Sequence, residues 1–235
     1  RAADGPRDGR RVAKGEGVVG GRPLADGLCR LGDPALQFAP SVDEGERVEA
    51  GQLLATVKGP GRALLTAERP AINFVGRLSG IATRTRRFVD AVSHTEADIL
   101  DTRKTLPGHR RPDKYAVRHG GGRNHRMGLY DMVLIKDNHI DGAGGIPEAV
   151  RRARDTHGDD YPIEAQVKTL AELDEALPPA PDSLLLDNMP PETPRQAGAR
   201  TDRRVPLQAS GGRTPDSRPA LPHPALQHRP ARGPT

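Results

Sequence analysis

Apolar residues in this chain change their spacing near residue 66, and the change divides it into two patterns. From residue 43 to 65 the apolar runs are short. Val48, Leu53 to Ala55 with Val57, and Ala63 to Leu65 are separated by Asp43-Glu44-Gly45-Glu46 and Gly59-Pro60-Gly61. Short runs bounded by turn residues predict a small β unit. From Thr66, a candidate N-cap, the apolar positions Ala67, Ala71, Phe74, Val75, Leu78, Ile81 and Ala82 recur at helical spacing, followed by Phe88, Val89 and Val92. Pro70 fits this helix only in its first turn. Residues 1 to about 35 are rich in Gly, Arg and Asp and read as a loop-rich or helical edge.

Beyond residue 95 strand and helix patterns alternate. Predicted strands are Ala97–Leu100, Met132–Ile135, Ile163–Val167, Ser183–Leu186 and Val205–Ala209. Predicted helices are Asp113–Arg118, Pro147–Ala153 and Leu170–Leu177. Repeated β-then-α order implies parallel strands with crossover helices, and continuous apolar strands such as Met132–Ile135 imply burial on both faces. Polar residues follow the strands at their carboxyl ends: Arg103 and Lys104, Lys136, Gln166, Asp187 and Asn188, and Ser210-Gly211-Gly212. In β/α folds that is where active sites lie.

At 235 residues the chain is long enough for two modest domains. With aromatics at 3% and no Trp, its core must rest on Leu, Val, Ile and Ala. A single cysteine, Cys29, excludes an internal disulfide and suits a cytoplasmic setting. No apolar run approaches the roughly 20 residues of a membrane span, and no secretory signal is visible. The net charge of +5 belongs to residues 190–235, which hold eight Arg and three acids, so the body is neutral. That balance, and a tail without interleaved aromatics, argue against a nucleic-acid partner.

The chemistry concentrates between Thr102 and His139, where nine Lys or Arg accompany only three Asp. Cations gathered on one face of a fold make a site for a strongly anionic ligand. No Ser-His-Asp arrangement or zinc-type Cys/His spacing suggests another chemistry.

Around this charge the chain holds the motifs Ala67-Glu68-Arg69, Leu78-Ser79-Gly80-Ile81-Ala82-Thr83, Asp101-Thr102-Arg103-Lys104-Thr105, Gly120-Gly121-Gly122, Asn124-His125-Arg126, Lys136-Asp137-Asn138-His139, Leu186-Asp187-Asn188 and Ser210-Gly211-Gly212, some charged and some not. From about Val48 to Thr214 the chain resembles the quinolinate phosphoribosyltransferases (nicotinate-nucleotide pyrophosphorylases, carboxylating). The resemblance implies an α/β fold: an N-terminal α/β sandwich-like domain plus a partly open β/α barrel. It implies phosphoribosyl transfer from phosphoribosyl pyrophosphate to quinolinate with decarboxylation, giving nicotinate mononucleotide, pyrophosphate and CO2 for NAD biosynthesis. It implies also that magnesium accompanies the pyrophosphate and that the protein is a homodimer with Arg69 reaching across the interface. Arg69, Arg103, His125, Arg126 and Lys136 match the quinolinate-binding set. Lys104 and Lys136 serve phosphate oxygens and the leaving group. Asp187 stabilises the ribose cation or holds magnesium through water, so Lys104, Lys136 and Asp187 are the catalytic candidates. Ser210, Gly211 and Gly212 match a turn that holds the 5′-phosphate.

The chain departs from the family at Gln166 and Gln208, where Glu is usual, and after Thr214, where the pattern gives way to Pro and Arg. Ten of the 23 prolines lie at or beyond residue 190, which disfavours helix and central strand. The expected organisation is residues 1–95 as the N-terminal domain with its interdomain helix, 96–214 as an incomplete barrel truncated at its C-terminal end, and 215–235 as a disordered tail, the product of an altered reading frame or gene end. Because the first residue is Arg1, the N-terminus is expected to be incomplete. Two alternative functions stay open: a catalytically impaired relative that keeps the fold, and a transferase that uses nicotinate.

Overall fold

A computed structural model describes residues 5–190, 192–201, 206–210 and 229–230. The described residues form two compact units, one holding residues up to His125 together with 229–230, the other the described residues from Arg126 to 210. The division falls at His125/Arg126, well beyond the 95/96 boundary expected from the sequence pattern.

In the first unit the elements run β1 (Pro6–Val12), β2 (Gly17–Val18), α1 (Arg22–Gly32), β3 (Gln37–Pro40), β4 (Arg47–Val48), β5 (Leu53–Pro60), α2 (Gly61–Val92) and α3 (Arg110–His119). The strands β1, β5 and β3 pair antiparallel, and β2 pairs with β4. Cys29, Leu36, Val57, Leu64 and Ala67 form the core between α1, α2 and the sheet. An apolar cavity of about 50 Å³ lies in this core, bordered by Cys29, Phe38 and Ala71, with the Arg11–Glu68 ion pair (3.5 Å) at its wall. None of the residues bordering it belongs to the cation-rich loops.

Three sequence expectations are adjusted here. The first 35 residues, read as a loop-rich or helical edge, do hold a helix, α1, but also two strands, β1 and β2, that were not expected. The strand β1 (Pro-Arg-Asp-Gly-Arg-Arg-Val) was missed because its polar side chains hide the alternation on which a sequence reading depends. The helix α2 starts at Gly61, so Ala63 to Leu65 are helical and Thr66 is interior. Its hydroxyl donates to Arg62 O (3.0 Å) and caps nothing. Pro70 therefore sits inside the helix, in its third turn. The expected strand Ala97–Leu100 reduces to a single parallel bridge, Leu100 to Arg123.

The second unit contains β6 (Val133–Ile135), α4 (Asp137–Ala143), α5 (Ile146–His157), β7 (Ile163–Val167), α6 (Leu170–Ala176), β8 (Ser183–Asp187), α7 (Thr193–Arg200) and β9 (Leu207–Ser210). All four strands are parallel, in sequential order. Sequential parallel strands with helical crossovers are a segment of a β/α barrel. One face of this sheet, with Ile135, Ile163, Ala165, Val167, Leu184 and Leu186, packs on the helices as the unit's core. Residues one place out of step lie on the other face: Leu134, Glu164, Gln166, Ser183, Leu185, Asp187 and Gln208. The interior face of the barrel segment is thus mostly polar.

The tail expected to be disordered lies largely outside the described residues. Arg229–Pro230 (β10) is the described part, and it pairs antiparallel with β1 in the first unit.

The face assignment can be checked on neighbouring leucines. Leu184→Ala removes a fully buried side chain and should cost about 2–5 kcal/mol. Leu185→Ala, on the half-buried face, should cost clearly less. Urea unfolding of both variants measures the difference, and equal losses would contradict the assignment.

Candidate active site

In the first unit the cation-rich segment is organised by a buried ion pair. Lys114 on α3 is 1% exposed at its side chain, and Asp101, at the head of Asp101-Thr102-Arg103-Lys104-Thr105, is 6% exposed. Lys114 Nζ donates to Asp101 Oδ1 and, at 2.9 Å, to His125 O. The His125 N–H donates to the same carboxylate oxygen at 2.9 Å. With its amide turned to satisfy both ends, Asn124 donates to Asp101 Oδ2 and to Lys114 O, each at 2.9 Å. Backbone bonds join the same strands: Arg123 N–H to Ile99 O at 2.8 Å and Asp101 N–H to Arg123 O at 3.2 Å.

The turn that leads from α3 into this segment needs glycine. A Cβ on Gly120 would stand 2.6 Å from Ala82 O on α2, and Gly121 has φ +90°. Close packing of α3's end on α2 thereby delivers Arg123, Asn124 and His125 to the side of Asp101.

The loop that carries Arg103 is pinned from beyond. Arg110 Nη2 donates to Arg103 O (3.3 Å), and Arg110 Nε donates to Thr105 Oγ1 (3.4 Å). Arg103 Nε itself is buried and, like Arg86 Nε, has no hydrogen-bond partner among the described residues. Lys104 is exposed and His125 half-buried. Arg69 stands exposed on α2, and among the described residues no hydrogen bond or ion pair joins it to this network.

In the second unit the sequence-predicted residues do lie at carboxyl ends of parallel strands. Lys136 follows β6, Gln166 is late in β7 and Asp187 ends β8. Register places Gln166 beside Leu185 and Asp187 beside Ser210. Gln166 Nε2 donates to Asp187 Oδ2 at 2.6 Å, and Asn188 Nδ2 donates to Asp187 Oδ1 at 3.1 Å. Asn188 takes a left-handed conformation, φ +53°. Gly211 and Gly212 lie outside the described residues.

One further group at these strand ends, Lys168, escaped the sequence reading. Lys168, one residue past β7, donates to Asp137 Oδ2 at 2.9 Å. That hydrogen bond raises the Lys168 ammonium and, with the Asn138 N–H, lowers the Asp137 carboxyl. The strand-end rule that selected Lys136 applies equally to Lys168.

Arg126 Nη1 donates to Met132 O at 3.1 Å. The loop between them closes on Asp131, which accepts from Met127 N–H (2.6 Å) and Gly128 N–H (3.0 Å). Burial alone would raise the Asp131 carboxyl. The backbone donors and the Arg126 charge outweigh it and hold the group below its usual value.

Comparison with known proteins gives the family. The model of the quinolinate phosphoribosyl transferase N-terminal domain matches residues 3–79, and that of the C-terminal domain matches residues 81–224. The chain belongs to the quinolinate phosphoribosyltransferase family. A probable nicotinate-nucleotide pyrophosphorylase (carboxylating) of Bacillus subtilis is 43% identical over 210 residues, 89% of this chain and 73% of that protein. The nicotinate-nucleotide pyrophosphorylase (carboxylating) of Mycobacterium leprae is 49% identical over 174 residues, 73% of this chain and 61% of that protein. Among solved structures, the nicotinate-nucleotide pyrophosphorylase of Francisella tularensis superposes with TM-score 0.87 at 37% identity, covering 91% of this chain and 76% of its own. NadC of Streptococcus pyogenes gives 0.86 at 36%, covering 89% and 74%. Human nicotinic acid phosphoribosyltransferase shares the fold alone, at 11% identity and TM-score 0.60 over 89% of this chain and 64% of its own. The family model's match reaches residue 224, ten residues beyond Thr214, where the recognisable motifs end.

The members of this family transfer a phosphoribosyl group to quinolinate with decarboxylation, and they work with Mg²⁺. Among the described residues no three His, Cys, Asp or Glu side chains gather into a metal cage. The donor set present, Asp187 with the Gln166 amide beside it, fits an ion that arrives on a pyrophosphate and keeps most of its waters, for which one carboxylate suffices.

A lowered folded-state value means that Asp131 stabilises its loop at pH above the ordinary carboxylate range. The contribution is lost as pH falls through the lower, folded value. Asp131→Asn should therefore be less stable than the parent at pH 7, with the difference closing below about pH 4. Paired urea titrations across pH test this, and a pH-independent difference would contradict it.

Proposed function

We propose that this chain joins quinolinate, through its ring nitrogen, to the ribose carbon of phosphoribosyl pyrophosphate, releasing pyrophosphate and CO2 and leaving nicotinate mononucleotide. The observation that carries the reading is Arg103, whose Nε is buried without a hydrogen-bond partner. A buried donor without an acceptor is costly, and a carboxylate supplies the missing acceptor with a charge-assisted bond. Quinolinate offers two adjacent carboxylates. Arg103, Arg126 and Arg69 carry planar forks that suit them, with His125 and Lys136 completing the set.

Lys104 and Lys136 neutralise phosphate oxygens and ease departure of pyrophosphate. Asp187 would hold, through water, a Mg²⁺ carried on the pyrophosphate, which would supply further neutralisation. Loss of the leaving group builds positive charge at the ribose carbon, as in glycosyl transfer generally, and the Asp187 carboxylate stabilises it. Gln166 orients that carboxylate by donating to it. Ser210, Gly211 and Gly212 are assigned to the 5′-phosphate by their sequence match.

Once the ring nitrogen is alkylated it is cationic. When the adjacent carboxylate leaves as CO2, the electron pair of the broken C–C bond stays on the ring carbon beside that nitrogen. A proton from water then takes its place. The protein's part is placement and electrostatics.

The assembly is read as a homodimer in which Arg69 serves the partner's site, and the setting as cytoplasmic, in keeping with a single buried, free Cys29. Gln166 and Gln208 favour a second reading, an impaired enzyme, because an amide keeps the acceptor and loses the charge.

Purified protein given magnesium, phosphoribosyl pyrophosphate and quinolinate should release CO2 and form the mononucleotide, and nicotinate should not replace quinolinate. Turnover of nicotinate alone would overturn the substrate assignment, and quinolinate binding without turnover would establish the impaired enzyme. Gln166→Glu should raise turnover and lower the magnesium requirement, because two carboxylates in contact favour an intervening cation. An unchanged rate and magnesium dependence would remove the charge from the account. For the dimer, mixing Arg69→Ala protein with Asp187→Ala protein should restore part of the activity each lacks, and no restoration would contradict the shared site.

A further inference from the structure

The Lys114–Asp101 pair is expensive as a source of stability. Both side chains are withdrawn from water, and a buried ion pair is often no more stabilising than well-packed apolar residues of the same volume. Its hydrogen bonds show what it does instead. Lys114 Nζ takes the carbonyl of His125, and Asp101 takes the N–H of the same residue. The peptide groups on both sides of the His125 Cα are thus fixed by the two halves of one ion pair. The other carboxylate oxygen, Asp101 Oδ2, takes the Asn124 amide, which also reaches Lys114 O. Asp101 stands two residues before Arg103, and its own N–H is tied to Arg123 O at 3.2 Å. One carboxylate and one ammonium therefore fix the His125 backbone, and the Asp101 main chain ties it to the segment that carries Arg103.

We propose that Asp101, Lys114 and Asn124 are positioning residues for quinolinate: they set the relative placement of Arg103 and His125 so that one diacid meets both. They touch no reacting atom. Bidentate recognition of a carboxylate requires the guanidinium plane to be aligned, and a displacement near 1 Å in a supporting shell is enough to lose much of it. Lys114 arrives from α3, a separate helix, so the placement depends on a contact that neither loop could make alone. The proposal rests on the quinolinate reading given above.

The test replaces the pair as a pair. Asp101→Asn with Lys114→Met removes both charges, leaves no unpaired ion and keeps similar volumes. A single change would strand a buried charge. In the folded double variant, verified by circular dichroism, the quinolinate KM should rise roughly tenfold or more. The KM for phosphoribosyl pyrophosphate and kcat at saturating quinolinate should change by less than about threefold. A purely structural role would leave the quinolinate KM unmoved or reduce the fraction of active protein without this split.

Asn124→Ala is the second variant. Asn124 is exposed, so its loss leaves the ion pair in place, and a quinolinate KM raised about threefold with unchanged kcat is expected. That variant decides the matter if the double one does not fold. Restoring the amide as Gln, one methylene longer, should recover little of the loss, because the bond to Asp101 is one of placement. Parent-like quinolinate KM in a folded double variant, or in Asn124→Ala, overturns the proposal while leaving the activity intact. A parent enzyme that does not turn over quinolinate overturns the functional reading, and this proposal with it.

Discussion

A charge removed from water has to be met by an opposite charge or by oriented hydrogen bonds, and the chemistry-bearing loops of both units are built around that requirement. In the first unit it produces the Asp101–Lys114 pair, and beside it the Arg77–Asp113 pair, with bonds of 2.9 and 2.7 Å that lash α2 to α3. In the second unit it produces Glu164, fully buried on β7 and bonded by the Ser183 hydroxyl at 3.1 Å, and Asp187 bonded by Gln166. Each polar group so satisfied fixes a backbone position. Arg103, whose Nε keeps unused hydrogen-bonding capacity among the described residues, is the one the proposed function assigns to a ligand.

The exchange of Glu for Gln at 166 changes the electrostatics of this design more than its shape. Two carboxylates at the separation seen between Gln166 and Asp187 would share a proton or enclose a cation. The amide instead donates and leaves Asp187 with its charge and a fixed orientation. On the proposed reading, stabilisation of a developing ribose cation survives the exchange in part, because that task is assigned to Asp187. On the same reading, attraction of a metal-bearing pyrophosphate is weakened, because the pair of carboxylates at 166 and 187 is reduced to one.

How much was visible in the sequence follows from which forces are local. The parallel strands were legible because burial on the helix face makes continuous apolar runs, as at Val133 to Ile135 and Leu184 to Leu186. The strand-end residues Lys136, Gln166 and Asp187 followed from the same pattern. The start of α2 was not legible, since Gly61 is a poor helix former and Thr66 an attractive false cap. Packing of Leu64 and Ala67 against Cys29 and Leu36 overrides that propensity. The strand β1 was invisible because its residues are nearly all polar. Lys114 was unreadable for a different reason: a lysine on a polar helix looks solvated, and only the fold brings it to Asp101, thirteen residues earlier. The cation set itself was legible as motifs, whereas the ion pair that holds part of it needed coordinates.

The account's central claim is that these cations are arranged for a pyridine carrying two adjacent carboxylates. Calorimetric titration of the protein with quinolinate and, separately, with nicotinate tests it without any dependence on turnover. The two ligands differ by one carboxylate, so the arrangement predicts that quinolinate binds at least about tenfold more tightly and that added salt narrows the gap. Equal affinities for the two, or a preference for nicotinate, would contradict it.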